Sequence, residues 1–342
     1  MRILVLGGTG FIGRAIVDQA VSRGHDVTTF TRGQHGEPRP GAESVHGDRT
    51  SPGDLTALGA RDWDAVIDTS AIAPAHVAAS ARLLAGHVGH YTYVSSLSVY
   101  TDRPRQPVTE ESPTYECPPT AVGSQETLGY GPLKAGSERA VAEAFPGRHL
   151  IVRPGVLAGP HDDVGRLPWW LTRLAQGGRV LAPGRPDRPV RLTDARDLAS
   201  WMVDSIRRRI AGIVNVPGPL GCTFGDLMAA CLDAVSAHAD APAPAELVWV
   251  PDDVLLAAGV EPYTELPLWV PDTPDLAGTW AASGDRAQLA GMRYRPLSST
   301  VRDTWGWLCS DSAAKAKPAG EPAQRAGIGL DPARERNILA SL

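Results

Sequence analysis

Tyr130 and Lys134 stand four positions apart, and together they have the groups needed to move a proton. Lysine is scarce in this chain. Of 33 basic residues, only Lys134, Lys315 and Lys317 are lysines, and arginine supplies the rest. A lysine kept where arginine would give the same charge points to a need for an ammonium, a compact charge on a flexible stem, in place of a planar fork. Residues four apart are neighbours on one helix face, so the pair can share one proton-transfer site. Taken alone, it also fits a surface helix with an unrelated tyrosine and lysine.

A second chemical unit opens the chain. Gly7-Gly8-Thr9-Gly10-Phe11-Ile12-Gly13 places glycines at 7, 10 and 13, after an apolar run and before an amphipathic one. Gly7 suits a tight turn, Gly10 lets backbone approach a pyrophosphate, and Gly13 permits close helix–strand packing. The helix N-terminus, with Thr9, Phe11 and Ile12, then faces phosphates with free N–H groups and a partial positive charge. NAD enzymes place an acidic residue at the end of the second strand for the ribose 2′-hydroxyl. Here Thr31 holds that place and Arg32 follows. The missing carboxylate removes repulsion toward a 2′-phosphate, and a guanidinium can bind one, so NADP(H) is favoured and NAD(H) is the alternative. A solvated loop cation is the plainer reading of Arg32. Asp48 is expected to meet the adenine or to serve as a turn aspartate, with Arg49, Thr69 and Ser70 also expected near the cofactor.

The elements that must position these groups follow a βαβ alternation. Strands are expected at Arg2–Leu6, Asp26–Thr31, Ser44–His46, Ala65–Asp68, Tyr91–Ser95 and His149–Arg153. Their near-continuous apolar character suits burial on both faces. Helices are expected at Phe11–Ser22, Ala75–Ala85 and Lys134–Phe145, and Thr101–Gly129 reads as a long loop. The fold class is therefore α/β: a Rossmann-type, doubly wound parallel sheet with a smaller, irregular C-terminal substrate lobe. Residues 1–153, with about 190–216, form the dinucleotide-binding domain. Residues 154–189 and 217–309 form the lobe, 310–329 a low-complexity linker, and 330–342 a helix. Asp331 and Pro332 start that helix well, and Leu339 and Leu342 are expected to dock it.

With these pieces in place, the chain resembles the extended short-chain dehydrogenase/reductase family, of the NAD-dependent epimerase/dehydratase type and nearest to bacterial reductases. The likeness rests on Gly7 to Gly13, on Val94-Ser95-Ser96-Leu97-Ser98-Val99-Tyr100 and on Tyr130-Gly131-Pro132-Leu133-Lys134. Arg153-Pro154-Gly155 and Asp194-Ala195-Arg196-Asp197-Leu198-Ala199 match two further segments, and roughly residues 1–310 are covered. The resemblance implies that Ser96, rather than its neighbour Ser95, joins Tyr130 and Lys134 as the catalytic set. Ser96 would hold the substrate oxygen, Tyr130 would protonate it, and Lys134 would also bond the nicotinamide ribose. A phenol with a pKa of about 10 needs such help at neutral pH, and a nearby ammonium supplies it. Pro132 is tolerated in a first helical turn. Pro154 and Val156 would lie beside the nicotinamide.

Departures from the family pattern narrow the activity. Sugar-nucleotide dehydratases carry Asp-Glu where this chain has Leu97 and Ser98, two residues left as candidate substrate contacts. UDP-sugar epimerases carry a phosphate-binding arginine where Val190 stands, with Arg188 and Arg191 flanking it. The leading expectation is an NADPH-dependent reductase of a carbonyl, or related C=X group, on a small organic molecule. An epimerase holding NAD(P) tightly is the alternative, and a non-catalytic cofactor-sensing protein is the reading from another class.

Weaker signals surround this set. Gly159-Pro160-His161-Asp162-Asp163 is expected to border the substrate; its contiguous residues lack metal-ligand spacing, and no metal is expected. Trp169, Trp170, Trp249, Trp269 and Trp280 would suit a hydrophobic or aromatic substrate, although core packing is the commoner use of Trp. The net charge of −5 gives no reason to expect nucleic acid. No apolar run reaches membrane-spanning length, and the N-terminus lacks a cleavage pattern. Cys117, Cys222, Cys231 and Cys309 are scattered, so a cytoplasmic location with free thiols is expected. Family members often dimerise through the helices that would be Ala75–Ala85 and Lys134–Phe145.

Overall fold

The computed structural model describes residues 1–34, 38–70, 73–101, 107–237, 244–310 and 327–342. The first strands are β1 (Arg2–Leu6), β2 (Asp26–Thr31), β3 (Ala42–His46), β4 (Trp63–Asp68), β5 (Val88–Val94) and β6 (His149–Pro154). Between them run α1 (Phe11–Ser22), α2 (Pro52–Gly59), α3 (Pro74–Leu84), α4 (Gln125–Leu128) and α5 (Tyr130–Ala144). Next come β7 (Val156–Ala158), α6 (Arg166–Ala175), β8 (Gly178–Pro183), β9 (Leu192–Asp194), α7 (Ala195–Arg207) and β10 (Gly212–Val216). The chain continues with α8 (Phe224–Ser236), β11 (Ala245–Val250), α9 (Asp252–Ala257), α10 (Asp285–Leu289), α11 (Leu297–Leu308) and a C-terminal helix, Pro332–Ala340.

Two compact units result. The first comprises Met1–Gly155, Ala195–Gly218 and Ala281–Arg293; the second comprises Val156–Asp194, Pro219–Trp280 and Tyr294–Leu342. The first unit holds a seven-stranded sheet in the order β10-β6-β5-β4-β1-β2-β3. Every neighbouring pair in it is parallel. This is the Rossmann-type arrangement, with the strand order reversing between β1 and β4. Helix α1 packs with α7, and α3 with α5. Covered on both faces, the strands bury Ile3, Leu4, Val5, Val66 and Ile67 completely.

Local chemistry moves the unit boundaries away from the sequence-based division. Strand β7 pairs in parallel with β9, Val156 against Leu192, which takes the segment before Ala195 into the second unit. Ala281–Arg293 returns to the first unit, where the Trp201 indole donates to the Ala290 carbonyl at 3.0 Å and Ser283 N–H to Val108 O at 2.8 Å. The expected loop Thr101–Gly129 also contains α4, capped by Ser124. Helix α5 begins at Tyr130, earlier than expected, with Pro132 inside its first turn.

The second unit is built around buried Trp170 and Trp269, with Trp169 and Phe224 edge-on to Trp170. These rings form core, whereas Trp249 and Trp280 are only partly buried against it. Asp331 caps the C-terminal helix by accepting from Ala333 and Arg334 N–H groups. Leu330, Ile338 and Leu339 are buried. Leu342, expected to help dock this helix, is 59% exposed and does not. Glu335 holds the helix instead, accepting from Arg173 Nε at 2.7 Å and Leu181 N–H at 3.0 Å. Most of the expected linker, including Lys315 and Lys317, lies outside the described residues. All four cysteines are free. No described helix is long and apolar enough to cross a membrane.

Candidate active site

Parallel strands end together, and their carboxyl ends carry the expected groups. Leu6, Phe30 and Asp68 share one register across β2, β1 and β4, so the residues after them meet at the switch point. There they line a cavity of about 500 Å³. Of the expected cofactor set, Gly7, Thr9, Arg32, Asp48, Arg49, Thr69 and Ser70 line it, joined by Gly33, Gln34 and Thr50. Gly7 has φ +107°, and an added Cβ would collide with the Thr69 hydroxyl. A Cβ on Gly13 would come within 2.6 Å of Gly8 N, so glycine lets α1 close onto its turn. At Gly10 an added Cβ would meet no protein atom within 4 Å. Gly10 is the N-cap of α1 and makes no side-chain cap, and no acidic residue sits in the first turn. The N-terminus of α1, with Phe11 and Ile12 in its first turn, is thus left without a side-chain cap, which fits a dinucleotide pyrophosphate.

Two members of this set are engaged by the protein itself. Asp48 Oδ1 accepts from Thr50 N–H and Thr50 Oγ1, both at 2.8 Å. These bonds hold its carboxyl below the usual range, as suits a turn aspartate. Arg49 was expected to face the cofactor, but its guanidinium turns inward. It forms a two-pronged pair with Asp68, at 2.7 and 2.5 Å, and reaches Ser80 Oγ. Any cofactor contact by Arg49 must come from elsewhere on that residue, because its charged head is committed to Asp68.

Lys134 is 3% exposed. Its ammonium donates to Val94 O at 2.7 Å and to Ser70 O at 3.1 Å. It also lies over the Tyr93 ring, 4.8 Å from the centroid, and 5.9 Å from that of Tyr130. Burial pushes its pKa down to about 8, opposed by Asp68 and Glu138 and aided by Arg49. Ser70 thus belongs both to the cavity and to the lysine.

The two adjacent serines are separated by their partners. Ser95 is 2% exposed and donates to Glu138, which Arg153 grips at 2.9 and 2.6 Å. Ser96 instead caps a 3-10 turn, Leu97–Val99, its hydroxyl oxygen accepting from Ser98 N–H at 3.1 Å. A hydroxyl that accepts once keeps its proton to donate. Leu97 and Ser98 are half-buried in that turn. Gly131, beside Tyr130, packs against it so closely that a Cβ would overlap the Ser98 carbonyl oxygen. The first turn of α5 and the Ser96 turn are therefore locked together.

Pro154 ends β6, and Gly155 after it packs on Pro217, whose oxygen would lie 2.9 Å from an added Cβ. Val156, His161 and Arg191 belong to the second unit. His161 takes a positive φ of 70°, with its ring centroid 5.0 Å from that of Trp307. Arg191 is 4% exposed and donates to Trp280 O at 3.2 Å. Sequence reasoning missed Asp68, Ser80, Tyr91 and Tyr93, the polar layer under the cavity. The available signal was a carboxylate ending the otherwise apolar run Ala65-Val66-Ile67-Asp68. Among the described residues, no group of three or more His, Cys, Asp or Glu could hold a metal ion.

Comparison with known proteins bears on the fold and the family. The chain is 31% identical over 202 residues to 2-alkyl-3-oxoalkanoate reductase of Stenotrophomonas maltophilia, covering 54% of this chain and 58% of that one. It is 30% identical over 199 residues to 2'-dehydrokanamycin reductase of Streptomyces kanamyceticus, covering 57% and 52%. It is 26% identical over 250 residues to chloroplast stem-loop binding protein of 41 kDa b of Arabidopsis thaliana, covering 68% and 63%. The chain thus spans roughly half to under two-thirds of the length of these curated relatives. In fold it is similar to WbmH of Bordetella bronchiseptica, solved with NAD+, at a TM-score of 0.68 and 18% identity over 91% of this chain and 99% of that one. WbmG of the same organism, solved with NAD and UDP, gives 0.65 and 18% over 90% and 94%. Residues 3–216, from β1 through β10, match the NAD dependent epimerase/dehydratase family, and the chain is a member of that family of nicotinamide-nucleotide enzymes.

Proposed function

We propose that the protein is an NADPH-dependent reductase of a carbonyl, or related C=X group, on a small organic molecule. The observation that carries this reading is the buried ammonium of Lys134, fixed on Val94 O and Ser70 O beside the Tyr130 ring. NADPH, when bound, would supply a hydride to the substrate. Ser96 donates a hydrogen bond to the carbonyl oxygen and holds it for Tyr130. As the C=O π pair moves onto oxygen, the Tyr130 phenol gives its proton there, and the product is an alcohol. Lys134 stabilises the resulting phenolate and bonds the ribose hydroxyls. Arg32, exposed at the cavity rim, takes the 2′-phosphate. Gly10, Phe11 and Ile12 present N–H groups to the pyrophosphate.

A transiently oxidising epimerase is the less favoured member of the same family. Val190, standing where sugar-nucleotide epimerases carry their phosphate-binding arginine, is 1% exposed. Nearby Arg188 is held by Asp252 and by Val270 O. The two reductases among the relatives support carbonyl reduction as the outcome. Protein that purifies without bound nicotinamide and consumes NADPH stoichiometrically with a carbonyl substrate is the expected result. Tightly held nicotinamide with no net NADPH consumption would refute the proposal.

A further inference from the structure

The buried pair Arg49–Asp68 has a stake in Lys134. Asp68 ends β4 with no solvent exposure. Its Oδ2 accepts from Arg49 at 2.5 Å and from the Tyr91 hydroxyl at 2.7 Å. Its Oδ1 accepts from Arg49 at 2.7 Å and also from Ser70 N–H at 3.0 Å. The carbonyl of that same Ser70 receives the Lys134 ammonium. Burial alone would raise the Asp68 carboxyl, but Arg49 holds it below its ordinary value, so it carries its charge. One carboxylate thus fixes the turn that receives the lysine and faces the lysine's charge.

We infer that Arg49 and Asp68 are positioning residues for Lys134: Asp68 sets the Ser70 carbonyl and draws the ammonium, while Arg49 fixes and offsets that charge. The catalytic meaning of this rests on the reading of Lys134 given above; the coupling itself does not. The charged and titratable groups facing the ammonium are Asp68 at the end of β4, Arg49 after β3, Tyr93 on β5, and Tyr130 and Glu138 on its own helix.

The chain holds only three lysines, so this chain labelled with [ε-13C]lysine gives a sparse spectrum. Lys134 is assigned by the signal lost in Lys134→Arg. Asp68→Asn removes the attraction and leaves Arg49 unopposed, so the Lys134 titration midpoint should fall by roughly one pH unit or more. Arg49→Gln leaves Asp68 unopposed, so the midpoint should rise by a similar amount. Displacements of opposite sign are not produced by general loosening. Unmoved midpoints, or displacements of one sign, would overturn the inference. If either single variant does not fold, the other decides by its sign: a midpoint that is unmoved, or displaced the other way, overturns the inference. NADPH turnover by Lys134→Arg separates the two claims. Lost turnover with unmoved midpoints in the pair variants rejects the positioning role and keeps the catalytic reading. Full turnover with opposite displacements does the reverse.

Discussion

The Lys134 ammonium donates to the Val94 carbonyl at 2.7 Å, two residues before Ser96 in the chain. The end of β5 therefore supplies both the acceptor that anchors the lysine and the turn that presents the serine. Helix α5 completes the arrangement from the other side, because Gly131 rests on the Ser98 carbonyl. Ser96 after β5 and the Tyr130–Lys134 turn of α5 are thus held together through the backbone of both segments.

Ser95 and Ser96 should part company under substitution. Ser96→Ala removes a hydroxyl from the reacting group and should lower kcat by about 10²-fold or more. Ser95→Ala takes one hydrogen bond from the buried Glu138–Arg153 pair. It should cost about 1–3 kcal/mol of stability with kcat near wild type. Steady-state kinetics and thermal melts on both variants check this, and reversed outcomes would exchange the two roles.

The depressed Lys134 pKa sets two trends with pH. Activity needs the ammonium, so kcat should fall as pH rises through about 8. Stability runs the other way. Below about pH 8 the lysine is charged in both the folded and unfolded states, and its desolvation penalty is fully present. Between about 8 and its ordinary 10.5 the unfolded state binds more protons, so this group's penalty is relieved. Its contribution is on the order of 3 kcal/mol at most. Denaturant titrations of wild type and Lys134→Met across this range isolate the contribution as their difference.

What could be read from the sequence divides along physical lines. The strands Arg2–Leu6 and Asp26–Thr31 and the helix Phe11–Ser22 carry periodic apolar residues bounded by glycine, and they form as expected. Lys134 was visible because lysine is rare in this chain, and Ser96 because the strand before it ends in a recognisable run. The inward turn of Arg49 was not visible, since it depends on Asp68, Ser80 and Tyr91 meeting across three elements. Nor was the start of α5 at Tyr130, because Gly129, Gly131 and Pro132 give a poor helical pattern and the packing on Ser98 overrides it.

Gly131→Ala tests that packing. The added methyl cannot be accommodated without moving the Ser98 carbonyl or the first turn of α5. The expected cost is about 1–3 kcal/mol, with kcat lowered about 10²-fold by misplacement of Tyr130. Wild-type stability and turnover in this variant would show that the two turns are not locked.

Arg32→Ala addresses the choice of dinucleotide. Losing a charge-assisted bond to the 2′-phosphate should reduce the NADPH over NADH preference in kcat/KM by about ten- to a hundredfold. NADH turnover should stay close to wild type. An unaltered ratio would remove Arg32 from the 2′-phosphate site.

Proton delivery by Tyr130 is the step on which the proposed carbonyl reduction depends. Its most direct test is NADPH absorbance at 340 nm, followed for wild type and Tyr130→Phe across a panel of small ketones and aldehydes. Wild type should show stoichiometric NADPH loss and alcohol formation, with the rate lowered about 10²–10⁴-fold in Tyr130→Phe. Equal rates in the two proteins on every accepted substrate would contradict it.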